Sequence, residues 1–257
     1  MKNFTKRMTL SWLALCINLI IYNEGYGQTK PKWYVVGGAG ATALRDFSTT
    51  FGDLQYDVTE SNASLSYKLE SRPSFLINGG AGLSGTFVDN GTLGWDIGLN
   101  LRSAGFKLTP ELLEQKGELS DFYNDMLPEF GKTKEFRYFA VHLPVSFTYL
   151  PFEHVGFKVG ADLYYQFSSN ITNDQIPFGV LGETMGLTTH YIPKYGRPFQ
   201  AGAHVGVFAP INDRLRVDLD FFTDITPRLK IRPANPGVSD FNFREMGVRL
   251  NTRYYLK

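Results

Sequence analysis

Glu245-Met246-Gly247-Val248-Arg249-Leu250-Asn251-Thr252-Arg253-Tyr254-Tyr255-Leu256-Lys257 closes the chain. Side chains of an extended strand alternate between its two faces. Met246, Val248, Leu250, Thr252, Tyr254 and Leu256 therefore share one face, and Glu245, Gly247, Arg249, Asn251, Arg253 and Lys257 the other. The first face suits lipid and the second a polar interior. A soluble sandwich shows the same alternation with wet and dry sides exchanged, so the rest of the chain must decide between the two.

Working outward, further runs of about ten residues alternate in the same way. Strands are expected at residues 33–42, 74–88, 92–107, 136–149, 155–168, 198–210 and 214–226, with the last beginning at Phe243. Asp89-Asn90-Gly91, Leu150-Pro151-Phe152-Glu153-His154 and Asn212-Asp213 make short links; Asn, Asp and Gly supply the positive φ angles that tight hairpins need. The connections after the first, third, fifth and seventh strands are long, and those after the second, fourth and sixth are short. That alternation puts every long loop at one end and both termini at the other, as outer-membrane barrels do with short periplasmic turns and long extracellular loops. The expected fold is all-β: an eight-stranded antiparallel up-and-down transmembrane β-barrel.

Composition agrees. Fifteen per cent aromatic residues and 26 glycines in 257 residues favour one large β domain over a helical enzyme. A formal charge of +1 carries no basic footprint for nucleic acid, and a mean hydropathy of −0.18 is compatible with a barrel, because only alternate strand residues face lipid. Lys2, Lys6 and Arg7 precede an apolar stretch from Leu10 to Tyr22 broken only by Ser11 and Asn18, and Gly25 and Gly27 flank a cut before Gln28. Residues 1–27 are thus expected to be a signal peptide, and 28–257 the barrel domain, exported to the outer membrane of a Gram-negative bacterium. The apolar stretch is shorter than the roughly 20 residues that span a bilayer as a helix. Cys16, the only cysteine, lies in this segment behind Leu15, so neither lipid anchoring nor a disulfide is expected in the mature chain. Removing the segment leaves 23 basic and 24 acidic residues, a net charge of −1.

Charges collect on one strand face. In the seventh strand Leu215, Val217, Leu219, Phe221 and Ile225 oppose Arg214, Arg216, Asp218, Asp220 and Asp224. In the fifth, Phe157, Val159, Ala161, Leu163, Tyr165 and Phe167 oppose Lys158, Gly160, Asp162 and Gln166, and in the third Leu93, Trp95, Ile97, Leu99 and Leu101 oppose Asp96, Gly98, Asn100 and Arg102. An eight-stranded barrel has interior room only for side chains, and buried charges must be paired. A lumen charge network is expected from Asp218, Asp220, Arg249, Arg253, Arg216, Asp162 and Lys158, with Asp218 and Asp220 meeting Arg249 and Arg253. A closed polar plug is the favoured reading of it, ahead of a selective pore. Trp33, Tyr34, Phe75, Phe87, Tyr149, Phe152, Phe167, Tyr254 and Tyr255, near strand ends, suit the two interfacial aromatic girdles.

Gln28 after the cut, the glycine-rich runs Val36-Gly37-Gly38-Ala39-Gly40 and Gly79-Gly80-Ala81-Gly82-Leu83, and Tyr138-Phe139-Ala140-Val141-His142-Leu143-Pro144-Val145 resemble the PorT-like family of small outer-membrane barrels over most of the mature chain. Pro144 matches a proline that recurs in a mid-chain strand of that family. Pro110-Glu111-Leu112-Leu113-Glu114-Gln115-Lys116-Gly117 echoes a second family element, although here it follows a complete third strand and is expected in the loop. The resemblance implies export or surface functions and carries over no catalytic residue. A broader likeness is to barrels of the OmpA or OmpX type.

Function is expected in the loops. Thr109 and Pro110 form a cap-and-first-turn pair, so a short helix is expected within Glu111 to Met126 of the loop at 109–134. Residues 54–70, with Ala63, Leu65, Tyr67 and Leu69 alternating, are candidates for extra strands. His142, His154, His190 and His204 have no metal-ligand spacing, and no nucleophile elbow, phosphate loop or HExxH occurs. His142, His204 and Ser146 fall on the lumen face. No enzyme, cofactor, metal or nucleic-acid partner is expected. The expected partners are outer-membrane lipid and, through the loops, other envelope proteins. Three functions stay open: an integral barrel with a structural, export-accessory or surface-binding role; a narrow channel for small solutes; and a soluble periplasmic or secreted barrel binding a small apolar ligand.

Overall fold

The computed structural model describes residues 31–45, 56–59, 63–87, 91–118, 131–169, 199–227, 229–231 and 241–256. The segment expected as a signal peptide lies outside them. The described residues form eleven strands and no helix: β1 (Lys32–Leu44), β2 (Tyr56–Thr59), β3 (Ser64–Thr86), β4 (Leu93–Lys116), β5 (Lys134–Tyr149), β6 (Gly156–Ser169), β7 (Phe199–Asn212), β8 (Leu215–Asp224), β9 (Leu229–Ile231), β10 (Phe241–Phe243) and β11 (Glu245–Tyr255).

β1 pairs antiparallel with β11 on one side and with β3 on the other, which closes an eight-stranded ring in the order β1, β11, β8, β7, β6, β5, β4, β3. β2 adds to β3 beyond the ring, and β9 and β10 make a separate two-stranded hairpin in the last long connection. Gly91 has φ +72° beside the β3–β4 turn. At the β7–β8 turn the Asn212 side-chain oxygen accepts the N–H groups of Arg214 and Leu215, both at 2.9 Å, replacing ladder bonds with a local side-chain cap.

The ring is turned inside out relative to a soluble protein. Leu99, Leu101, Phe147, Val159, Leu163, Val205, Leu219, Phe221 and Leu250 are exposed, whereas Arg102, Lys158, Asp162, Asp218, Asp220 and Glu245 are buried. Alternation with period two thus gives an apolar outside and a polar inside, whose charges come from β4, β6, β8 and β11. Of the residues assigned to the aromatic girdles, Trp33, Phe75, Phe87, Tyr149, Phe152, Phe167 and Tyr254 are exposed, but Tyr34 is 2% exposed. Tyr34 lies on the lumen parity, and its hydroxyl crosses Gly82 of β3 to donate to the Ile97 carbonyl of β4 at 3.2 Å. A Cβ at Gly82 would run into the tyrosine ring.

The largest departure from the sequence reading concerns β3 and β4. β3 starts at Ser64 and β4 runs on to Lys116, giving 23 and 24 residues where roughly 9–11 cross a bilayer. β1 stops pairing with β3 at Ser74 and β5 stops pairing with β4 at Leu108, so the outer parts of β3 and β4 stand beyond the ring at the long-loop end as a ribbon that β2 widens. Within 54–70, Tyr56–Thr59 and the start of β3 are strands, as the alternation allowed. The helix expected from Glu111 is corrected: Glu111 to Lys116 is strand, and 119–130 lie outside the described residues. Pairing with β3 overrides the local cap signal, and the Thr109 hydroxyl meets that of Thr133 at 2.8 Å instead of capping a helix. Pro110 is tolerated because β4 past Leu108 is an edge among the described strands. The PorT-like echo at residues 110–117 accordingly sits mostly in strand rather than loop, and ends at Gly117, with φ +73°.

Leu250 is 53% exposed in the middle of β11. Leu250→Arg is expected to lower the unfolding free energy in lipid vesicles by about 2–4 kcal/mol, measured by urea titration. An unchanged midpoint would mean that this face does not meet hydrocarbon.

Candidate functional site

Each lumen-facing side chain is placed by strand parity, and the ring carries it toward partners distant in sequence. Among the described residues the buried set includes six acidic side chains, Asp96, Asp162, Asp218, Asp220, Asp224 and Glu245, and five basic ones, Arg102, Lys158, Arg216, Arg249 and Arg253. All seven residues expected in the network lie inside. Arg253 Nε is 2.6 Å from Asp218 Oδ2, and Arg249 Nε is 2.9 Å from Asp220 Oδ2. Arg216 bridges Asp218 at 2.6 Å and Asp96 at 3.1 Å, while Lys158 Nζ holds Asp218 at 2.9 Å and Asp220 at 2.7 Å. Arg249 also reaches Asp162 at 3.3 Å.

The lumen is layered. Toward the long loops, Arg102 pairs with Glu245, which also accepts the Tyr138 hydroxyl at 2.6 Å; the Arg102 guanidinium lies over Phe222 and Tyr164 at 4.5 and 4.9 Å. Nearer the long loops Leu44, Phe106, Leu108 and Phe136 are buried apolar residues, with Phe106 and Phe136 stacked at 5.2 Å. At the turn end the lumen opens into a vestibule of about 640 Å³. Asp96, Arg216 and Phe208 line its inner part, and Lys32, Glu153, His154 and Asp213 are among the residues of its mouth.

Asp96, Arg102, Glu245 and Asp224 belong to the buried set although the expected network omitted them. Arg102 and Asp96 were already visible as charges on the polar face of their strand. So were Glu245 and Asp224, which the pairing of β11 with β8 brings together, the Glu245 N–H donating to Asp224 at 3.0 Å. A second group is less visible in the sequence: Asp162 accepts from His142 Nε2 at 2.6 Å and from His204 Nδ1 at 3.0 Å, while the other face of His204, Nε2, meets Ser146 Oγ at 2.8 Å. The β5–β6 hairpin sets Ser146 against Gly160, a register that the short turn made readable. His204 joins through β7, across a long connection whose length hides the register. A Cβ at Gly160 would lie 2.6 Å from His204 Cε1, so the imidazole can span β6 to reach β5 only over a glycine.

No protein-family model matches the sequence, and no curated protein matches it. Solved structures with a similar fold include Neisserial surface protein A, at 10% identity over 90% of this chain and 99% of that one, TM-score 0.41. Outer membrane protein OprG from Pseudomonas aeruginosa gives 10% identity, 90% and 98% coverage and a TM-score of 0.36. Ail of Yersinia pestis, solved with the heparin analogue sucrose octasulfate, gives 11%, 90% and 100%, and 0.36. The barrel itself is established by its own closed pairing and its exposed apolar surface.

Asp218 is fully buried against Lys158, Arg216 and Arg253. Asp218→Ala leaves these three buried cations to share Asp96 and Asp220, and the expected loss is about 3–5 kcal/mol in vesicle-based urea unfolding. A loss under about 1 kcal/mol, the size of an exposed pair, would mean that water reaches and screens the lumen.

Proposed function

We propose that this chain is an integral outer-membrane β-barrel with a plugged polar lumen, whose structural, export-accessory or surface-binding role is carried by its long loops and by the ribbon of β3 and β4. The observation that carries this reading is the inversion of polarity around the ring. Leu101 and Phe147 are each 64% exposed while Asp162, Asp218 and Glu245 have no exposure. Water would favour the reverse arrangement, and only a surrounding hydrocarbon phase makes the exposed apolar wall inexpensive. A soluble barrel binding a small apolar ligand would instead need an apolar cavity, whereas the middle of this lumen is filled by ion pairs.

Plugging follows from the same interior. The stacked Phe106 and Phe136 with Leu108 close the long-loop end, and the arginine–aspartate layers fill the middle. A continuous water path would have to pass both. With the loop end shut, contact with partners falls to the segments outside the ring, where Leu112 and Leu113 are exposed on the β4 extension.

Folded protein in detergent is expected to migrate differently on gels before and after boiling, and membranes washed in alkaline carbonate are expected to retain it. Release into the carbonate supernatant would defeat the membrane reading. In planar bilayers the protein is expected to be silent, and reproducible single-channel steps would replace the plug with the narrow-channel reading.

A further inference from the structure

We propose that Ser146, His204 and Asp162 form a nucleophilic acyl-transfer site inside the lumen, reached by small acyl donors through the turn-end vestibule. Three adjacent strands supply the group, Ser146 from β5, Asp162 from β6 and His204 from β7. A carboxylate only accepts hydrogen bonds, so the 3.0 Å contact with Asp162 Oδ2 puts the proton of a neutral His204 on Nδ1. Nε2 then carries the lone pair and accepts the Ser146 hydroxyl at 2.8 Å. This is the arrangement in which a histidine acts as general base toward a serine and a carboxylate fixes its tautomer. His142 and Arg249 hold the other carboxylate oxygen at 2.6 and 3.3 Å, so Asp162 is kept in place from both sides. A polar plug needs only satisfied groups. It does not require a serine, an imidazole and a carboxylate in series, with Gly160 clearing the ring's path.

A small space lies beside the triad, and the turn-end vestibule ends next to it. Ser146 and His204 line a small cavity of about 20 Å³, enough for one water molecule, together with Lys158 and Asn100. Lys158 Nζ donates to Asp218 at 2.9 Å, pairs with Asp220 at 2.7 Å and lines this cavity, where its charge can face a developing oxyanion. In the β4–β5 ladder Ser146 sits directly opposite Asp96. Asp96 and Thr148 both line the vestibule, so Ser146 stands on the rung of its floor, one rung inward from Thr148. The floor is the layer in which Arg216 and Arg253 pair with Asp96, at 3.1 and 2.9 Å, so an acyl donor must part these pairs to reach Ser146, which favours short acyl groups.

The reaction balances without any added redox partner. Ser146 Oγ bonds to the acyl carbon of a small ester while its proton passes to His204 Nε2; the carbon–oxygen bond to the alcohol then breaks and the alcohol leaves with that proton. Water repeats the sequence in reverse roles, losing a proton to His204 and releasing the acid as Ser146 recovers its own. Ser146 and His204 are the catalytic residues here, and Asp162 is a positioning residue.

The test uses the full-length protein folded in detergent micelles and methanesulfonyl fluoride as a small probe. Its sulfur bonds to Ser146 Oγ as the sulfur–fluorine bond breaks, fluoride leaves, and the serine proton goes to solvent by way of His204. Peptide mass analysis is expected to find the sulfonyl group on Ser146, none in Ser146→Ala, and labelling slowed by about 10²-fold or more in His204→Gln. p-Nitrophenyl acetate hydrolysis is expected to fall in parallel. Each variant is first checked for the boiling-dependent gel shift, and Ser146→Cys with a small methanethiosulfonate reports access alone. A cysteine that reacts beside a wild-type serine that does not would overturn the activation. An unreactive cysteine with an unreactive serine would overturn the route, and equal labelling in His204→Gln would overturn the role of the histidine. The periplasmic facing of the vestibule rests on the membrane reading above, but the chemistry in micelles does not. Failed labelling therefore counts against the triad, and carbonate release against the membrane.

Discussion

β1 is hydrogen-bonded along both edges, to β11 from Tyr34–Tyr255 through Leu44–Glu245 and to β3 from Lys32–Ser84 through Thr42–Ser74. In hydrocarbon an open sheet edge would leave a row of N–H and C=O groups without water, at a cost of several kcal/mol for each. The second pairing of β1 removes both edges of the ring together. Closure with eight strands then fixes the bore, and a bore of that size holds side chains and little else. Inward residues consequently meet groups far away in the chain: Arg216 reaches Asp96 across 120 residues, and Arg102 reaches Glu245 across 143.

A buried ion pair seldom adds stability over a well-packed apolar pair, because desolvation offsets the attraction. In a lipid-facing barrel the comparison changes. If both faces of each strand were apolar, nothing would distinguish inside from outside, and a slip of one residue in register would be nearly neutral. With Asp218, Asp220, Arg249 and Arg253 on one parity, the same slip would expel four charges into the bilayer. The network therefore specifies register, and its internal pairing brings the cost of burial down to what the fold tolerates. Arg216 over the Phe208 ring at 3.8 Å and Arg253 over Tyr34 at 4.7 Å lower it further by giving the guanidinium faces aromatic partners.

The ring and its polarity were legible because strand parity is a local property: β11 alternates without interruption, and β8 carries its charges on the same face. Pairing within short hairpins was legible too, as with Ser146 and Gly160. What local signals conceal is competition between structures and registers across long loops. Thr109-Pro110 reads as a helix start until β3, itself longer than the membrane requires, offers a ladder to pair with. Tyr34 reads as a girdle residue because its position near a strand end says nothing of the parity that turns it inward. Gly98 and Pro144 face each other where the β4–β5 ladder lapses, and a Cβ on Gly98 would come within 3.1 Å of the proline ring. Neither residue alone announces that contact.

The two ends of the lumen differ in a way that bears on what it can do. At the long-loop end Phe106, Phe136, Leu108 and Leu44 are buried, and the charges below them pair largely with one another. At the turn end Lys32, Glu153, His154 and Asp213 ring an open mouth, and water can enter down to Asp96 and Arg216. A solute that enters there meets ion pairs held by several arginines and then an aromatic layer, and under the plugged reading proposed above its way out is the way in. Such a one-ended cavity suits binding or reaction better than passage, since translocation requires both ends to yield. The polar groups nearest its floor are then the place to look for chemistry, while recognition on the opposite side is left to strands and loops that the ring supports but does not enclose.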